Sequence, residues 1–228
     1  MLNSRCLISS LLLIAIKVCL ADDDNIQDFC PAAISNSNDP HNQIFFNGLP
    51  CQNPANVTAS DFKSMELKEV GDTDNFFLSS TNIVTAKEFP GLNTLGLALG
   101  RTDIEIDGIV SPHSHPRAAE IIFVSKGIVT IGFIDTGNQV FKKMLREGDV
   151  FIVPKGMLHF CYNTGFEFAT LISVLNSQNP GVIDITGTVL GSGSETAAHV
   201  KQRLASLTQQ EVEHTTSQAT ASNRHSEL

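Results

Sequence analysis

Three histidines and one carboxylate in the middle of this chain have the types and spacing of a metal site: His113 and His115, then Glu120, then His159. In an extended segment alternate side chains share a face, so His113 and His115 project to one side and can grip a single ion. Glu120 follows after a proline-marked bend, and His159 comes from a later strand. Antiparallel strands closed into a barrel bring residues some forty positions apart to the same height. Three neutral imidazoles and one carboxylate carry a single negative charge, which leaves a divalent ion net positive and, in octahedral geometry, with two open positions. Open positions mean reactivity or ligand binding, whereas a closed structural zinc site more often uses thiolates in a tetrahedron. A His-x-His alone is a weak signal; the downstream Pro154-x-Gly156-x-x-His159 and the surrounding glycines and prolines strengthen it. Cys161 and Asn163 follow His159 at steps of two and are expected on the same inward face. Asn163 then reads as a pocket residue or one that contacts a ligand. Cys161 reads as a redox-sensitive thiol near the metal or as a small buried side chain packing in the barrel. His41, His199, His214 and His225 fall in arm, helix or tail and are not read as ligands, and Arg117 and Lys126 read as solvated loop charges.

The elements that must position these residues are short and β-rich. Apolar and β-branched runs recur at 83–89, 94–100, 103–106, 121–125, 128–134, 139–145, 149–153 and 168–175, with 183–190 a further candidate strand. Such spacing, with turn residues between, argues for an all-β sandwich or barrel. Lys126-Gly127 and the stretch from Asp135 to Asn138 read as hairpin turns in which glycine takes positive φ. The segment 63–82 shows no clear pattern. After Gly191 the period changes, and Val200, Leu204 and Leu207 fall on one helical face, so a short C-terminal helix is expected at 191–210. From residue 211 to 228 the chain is polar and aperiodic and reads as a disordered tail.

Composition narrows the function classes. A hydrophobic content of 42% is enough to bury a single core. A formal charge of −9 with no basic run opposes binding to nucleic acid or to an anionic membrane. Residues 1–21 place Arg5 before an apolar run that ends in Cys19-Leu20-Ala21, the pattern of a secretory signal peptide and not of a membrane anchor. Cys30, Cys51 and Cys161 then remain in the mature chain, and in an oxidising compartment two of the three are expected to pair. Cys30 and Cys51 lie together near the mature N-terminus, outside the histidine stretch. A bridge between them would pin an arm at 22–62 that has little core of its own, worth about 3 kcal/mol by loop-closure arithmetic. Asn56-Val57-Thr58 is an N-glycosylation sequon, in keeping with secretion.

Taken together, the two boxes at 108–127 and 148–163 resemble the germin-like proteins of the cupin superfamily. The likeness extends to Asp28-Phe29-Cys30, Asn47-Gly48 with Cys51, Asn56-Val57-Thr58, Phe89-Pro90-Gly91 with Asn93-Thr94-Leu95-Gly96, and the run from Asn176 to Gly181. The resemblance implies an all-β fold, a single cupin jelly-roll β-barrel over 63–190 with a disulfide-pinned N-terminal arm and a short C-terminal helical segment. It implies a Cys30 to Cys51 bridge, and manganese held by His113, His115, Glu120 and His159. It also implies a secreted extracellular protein of the apoplast or cell wall that forms homo-oligomers, as dimer, trimer or hexamer. The residues alone do not choose Mn2+ over iron or zinc. Past about Gly181 the agreement fades, because the expected helix is short and the polar tail is extra.

Family membership leaves the chemistry open. Germin-like proteins include superoxide dismutases and oxalate oxidases, and others without an assigned activity. The oxalate-oxidising members carry two asparagines near the metal, and the matching positions here are Gly100 and Val110, neither of which can donate a side-chain hydrogen bond. Dismutation of superoxide, a small anion needing only an open position on a redox-active ion, is the expected activity. The rivals are a non-catalytic cell-wall or receptor-like metal-binding glycoprotein and an oxidase of oxalate or another small carboxylate.

Overall fold

The structure is a computed structural model that describes residues 27–33, 48–185 and 202. The signal segment 1–21, the tail 211–228, the expected helix at 191–210 apart from residue 202, and His41, His199, His214 and His225 all lie outside the described residues.

Ten strands form two five-stranded sheets. In chain order they are β1 (Ser79–Val84), β2 (Ala98–Ile104), β3 (Ile109–Ser114), β4 (Glu120–Lys126), β5 (Ile128–Ile134), β6 (Val140–Arg146), β7 (Val150–Val153), β8 (Leu158–Asn163), β9 (Ala169–Leu175) and β10 (Ile183–Asp184). One sheet runs β1-β2-β9-β4-β7 and the other β10-β3-β8-β5-β6, with antiparallel pairing throughout. Apart from the hairpins β1-β2 and β5-β6, sequential strands alternate between the two sheets in the jelly-roll manner, so the expected all-β cupin barrel is met. Ile104, Ile122, Val124, Val129, Ile131, Leu145, Val153, Cys161, Ala169 and Leu171, drawn from both sheets, make one buried core. The period of two is plain in β4, where Glu120, Ile122 and Val124 are buried while Ile121 and Phe123 face out.

Several elements differ from the sequence reading for physical reasons. The runs at 94–100 and 103–106 meet in one strand, β2, which takes in only 98–104 and passes through Gly100, where the strand opposite approaches closely. A Cβ on Gly100 would sit 3.2 Å from Ser173 Cβ. β1 starts inside the unpatterned segment, at Ser79, and ends at Val84 instead of continuing to residue 89. It is a polar edge strand with only one neighbour, so apolar alternation is not required of it. In the turn between β5 and β6 it is Asn138, at φ 61°, that takes the left-handed conformation, not Gly137. Asp135 Oδ1 caps that turn by accepting from Gly137 N at 2.8 Å and Gln139 N at 2.9 Å. The turn between β4 and β5 does use glycine: Gly127 has φ 88°.

Cys30 and Cys51 form the disulfide, with Cα atoms 4.9 Å apart. The bridged arm is tied to the barrel by Asn93, a fully buried side chain. Its amide donates to the Cys30 carbonyl at 3.0 Å and the Leu49 carbonyl at 2.8 Å, and its oxygen accepts from Leu49 N at 2.8 Å. A second tie covers the outer face of β2. There Arg101 Nε and Nη2 clasp Asp103 at 2.8 and 3.1 Å, while Nη1 donates to the carbonyls of Leu67 and Lys68 at 3.1 and 2.9 Å. Asp103, almost wholly buried, also accepts from Gly71 N and the Thr170 hydroxyl.

Candidate metal centre

His113 and His159 face each other directly across β3 and β8. β3 carries a register shift between Val110 and His113, and Pro112, which has no N–H to give a ladder, sits inside it. β3 ends at Ser114, so His115 stands one residue beyond the strand and is held from outside the sheet. Its carbonyl accepts from Gly156 N at 3.1 Å, a contact made possible by the turn that opens β8, where Gly156 has φ 74°. Glu120 is the first residue of β4, in the opposite sheet.

The three imidazoles converge. One donor atom from each of His113, His115 and His159 lies within 4.8 Å of the others. Each ring uses its Nδ1 on a peptide carbonyl: His113 on Ser111 at 2.8 Å, His115 on Gly181 at 2.7 Å, and His159 on Met157 at 2.9 Å. A carbonyl can only accept, so Nδ1 is the protonated nitrogen and a neutral ring then carries its lone pair on Nε2. Glu120 Oε2 approaches His159 Nε2 at 3.1 Å and His115 Nε2 at 3.6 Å. His159 Nε2 and Glu120 Oε2 are nonetheless both buried without a hydrogen-bond partner. Their separation is that of a hydrogen bond, but with the ring proton on Nδ1 two acceptors face each other. A cation resolves this arrangement, and nitrogen and carboxylate donors suit a divalent transition metal. These residues therefore fit a metal ion.

Burial and the neighbouring His159 pull His113 down from its ordinary value to about 4, which keeps its ring neutral and its lone pair free in mildly acidic solution. Burial by itself would raise the Glu120 carboxyl. Positive charge facing it from the His159 and His115 side, with the hydroxyl of Ser173, outweighs burial and holds the group below its usual range.

Around these donors lies a cavity of about 30 Å³, walled by Thr81, Thr102, Val110, Ile122, Ile131, Phe160, Cys161, Leu171 and Ser173. A wider pocket of about 220 Å³, lined among others by Phe77, Ile83, Ser111, Val182 and Asp184, shares Thr81, Val110, His113 and His115 with it.

A family model described as Cupin matches residues 65–212. Germin-like protein subfamily 3 member 4 of Arabidopsis thaliana is 55% identical over 182 residues, which span 79% of this chain and 82% of that protein. The chain belongs to the germin-like cupins. Germin-like protein 11-1 of Oryza sativa subsp. japonica is 50% identical over 188 residues, 82% of this chain and 83% of that protein. Among solved structures, a recombinant oxalate oxidase in complex with glycolate superposes with a TM-score of 0.68 at 33% identity, covering 74% of this chain and 83% of that one.

Within this germin-like cupin the two companions of His159 separate. Cys161, the free cysteine among the described residues, lines the cavity as a buried thiol whose pKa burial and the charge of Glu120 push up, so it packs and does not ionise. Asn163 faces inward but does not line the cavity, contrary to its reading as a pocket residue. Its amide donates to the Ile104 and Glu167 carbonyls at 3.1 and 2.7 Å and its oxygen accepts from Gly165 N at 2.9 Å, which fastens the loop before β9. Arg117 is an exposed loop charge, as read, but its Nε and Nη2 also donate to Asn179 at 2.7 and 2.8 Å. Sequence reasoning missed Ser173 and Gly181 as partners of the ligands. The Asn176 to Gly181 run was visible as a motif, but its contact with His115 runs through a carbonyl that every residue possesses.

Proposed function

We propose that His113, His115, Glu120 and His159 hold a manganese ion and that the chain acts as a secreted superoxide dismutase, turning superoxide into dioxygen and hydrogen peroxide. The observation that carries this reading is the lining of the cavity at the four donors. The cavity of about 30 Å³ at the donors has room for a small anion. The wall contributes hydroxyls from Thr81, Thr102 and Ser173 but no Lys, Arg, Asn or Gln among the described residues. A small anion needs no partner beyond the metal in such a space, whereas a dicarboxylate reaching into the wider pocket would meet no Lys, Arg, Asn or Gln among the described residues of either wall. Gly100, turned toward Ser173, and Val110, on the cavity wall, supply no donor for it either.

A bound manganese ion supplies alternate one-electron oxidation and reduction of superoxide. The protein's own share is to keep three Nε2 lone pairs and Glu120 Oε2 aimed at one point. It must also deliver the two protons that peroxide takes up. The Thr81 and Thr102 hydroxyls, 3.0 Å apart, run from the exposed edge strand to the buried wall and make a short relay for them.

The Cys30 to Cys51 bridge suits an oxidising compartment, which supports secretion to the apoplast or cell wall. No helix among the described residues is long and apolar enough to cross a membrane. Asn56 sits exposed at the end of a 3-10 helix (Pro54–Asn56), open to glycosylation. Self-association is supported by an apolar outer face where Ile121 pairs with Ile152 and Val174, and Phe123 with Val150, all exposed.

The test is a dismutase assay with metal analysis on wild type and His159→Ala. Manganese-dependent activity above that of free manganese in wild type, lost together with the metal in a folded variant, is expected. An inactive wild type that still holds manganese would turn the reading to a metal-binding glycoprotein without catalysis.

A further inference from the structure

The two ligands His115 and Glu120 are joined by a loop of four residues, and that loop is held by one strap of chain, residues 176–181. Ala119 N donates to Asn176 Oδ1 at 2.7 Å, and Asn176 N returns a bond to the Ala119 carbonyl at 3.2 Å. Arg117 N donates to the Pro180 carbonyl at 3.1 Å. The Arg117 guanidinium forks onto Asn179, with Nε on the carbonyl at 2.7 Å and Nη2 on Oδ1 at 2.8 Å. The next carbonyl along, that of Gly181, accepts from His115 Nδ1 at 2.7 Å. Gly181 has φ 68°, and a Cβ there would stand 2.8 Å from Arg117 Nη2. Arg117 is exposed, its side-chain bonds go to uncharged oxygens of Asn179, and it lines neither cavity.

Resting on the reading of these four residues as metal ligands, we propose that Arg117 is a positioning residue for the metal centre: by locking the 179–181 backbone it sets the Gly181 carbonyl that orients His115. A carbonyl bonded to the far nitrogen of a ligating imidazole fixes both tautomer and ring angle. Here that carbonyl has no side chain of its own to steady it, and the arginine fork two residues away does so.

The sign of the effect separates positioning from simple charge. Arg117 is a cation near a cationic site, so removing its charge alone should tighten binding of a divalent ion. Loss of positioning should weaken it. The experiment titrates metal-free protein with Mn(II), following free ion and bound spectrum by electron paramagnetic resonance, for wild type, Arg117→Ala, Arg117→Lys, Gly181→Ala and Lys126→Ala. Thermal melts of each metal-free variant report folding. Expected is a rise in Kd of about ten- to a hundred-fold for Arg117→Ala and Gly181→Ala, the range seen when outer partners of ligands are removed. The bound-ion spectrum should change as well. Arg117→Lys, which keeps the charge and loses the fork, should also weaken binding, and Lys126→Ala, an exposed cation 3.9 Å from Glu167, should not. Binding that is unchanged or tighter in Arg117→Ala, or an unaltered Kd in Arg117→Lys and Gly181→Ala, overturns the proposal while leaving the metal site standing. A wild type that takes up no Mn(II) overturns both.

Discussion

The donor atoms at the centre are constrained chiefly by what lies behind them. His113, His115 and His159 all give Nδ1–H to peptide carbonyls, and the Nε2 of His159 meets a carboxylate oxygen that no proton bridges. Replacing His159 by Ala should raise the Kd for Mn(II) more than about a hundred-fold, because a ligand is lost and not merely an outer partner; a titration of metal-free protein reads this directly. Acid should loosen the metal-free fold through His113. Its pKa falls on folding from 6.5 to about 4, so between those values the unfolded chain binds more protons and stability drops as pH drops. Above pH 6.5 this contribution is fully present, and by pH 4 about 3 kcal/mol has gone. Melts of metal-free wild type and His113→Gln across that window should show a flatter dependence in the variant. Cys161, buried and with its thiol pushed up, should resist thiol reagents in the native protein and react only on unfolding. A native thiol that labels within seconds would contradict its role as packing.

At the scale of elements, the outer tie on β2 invites the clearest stability test. Asp103 is buried with a bidentate arginine, a backbone N–H and a hydroxyl around it, so Asp103→Ala leaves Arg101 without its bidentate partner and Gly71 N without its acceptor. A loss of about 3 kcal/mol, and a fall in Tm of roughly 6 to 12 °C, should follow in a thermal melt. The ligand set was legible in the sequence because few residue types bind metals, and histidines two apart beside a carboxylate stand out from any background. Most strands were legible too, wherever one face had to be apolar. What was hidden follows from the same logic. β1 begins with Ser79, Ser80, Thr81 and Asn82 at a sheet edge, where nothing forces an apolar pattern. Gly100 looks like a stop but is a close approach to Ser173. The strap that orients His115 acts through a backbone oxygen and so leaves no side-chain signature, and Asn163 shares the parity of a cavity residue while its amide serves a loop.

For the molecule as a whole, the arm, the barrel and the apolar outer face set stability and assembly. Removing the disulfide by replacing Cys30 and Cys51 with Ser should cost about 3 kcal/mol, measured by denaturant unfolding, since the bridge closes a loop of 21 residues. Ile152→Lys places a charge at the centre of the exposed face shared by β4 and β7, and should lower the mass seen by light scattering if that face joins copies of the chain. The three carbonyls behind the histidines also bear on how such a protein can change over generations. Had those acceptors been carboxylates, any one could have been lost by a single codon change, and the ligation with it. Peptide oxygens survive substitution, so the vulnerable positions shrink to the ligands themselves and to the residues that steer the backbone. Val110, Ile122 and Leu171 on the wall are then free to drift. A lineage can try new substrates on this scaffold while its grip on the metal is inherited intact.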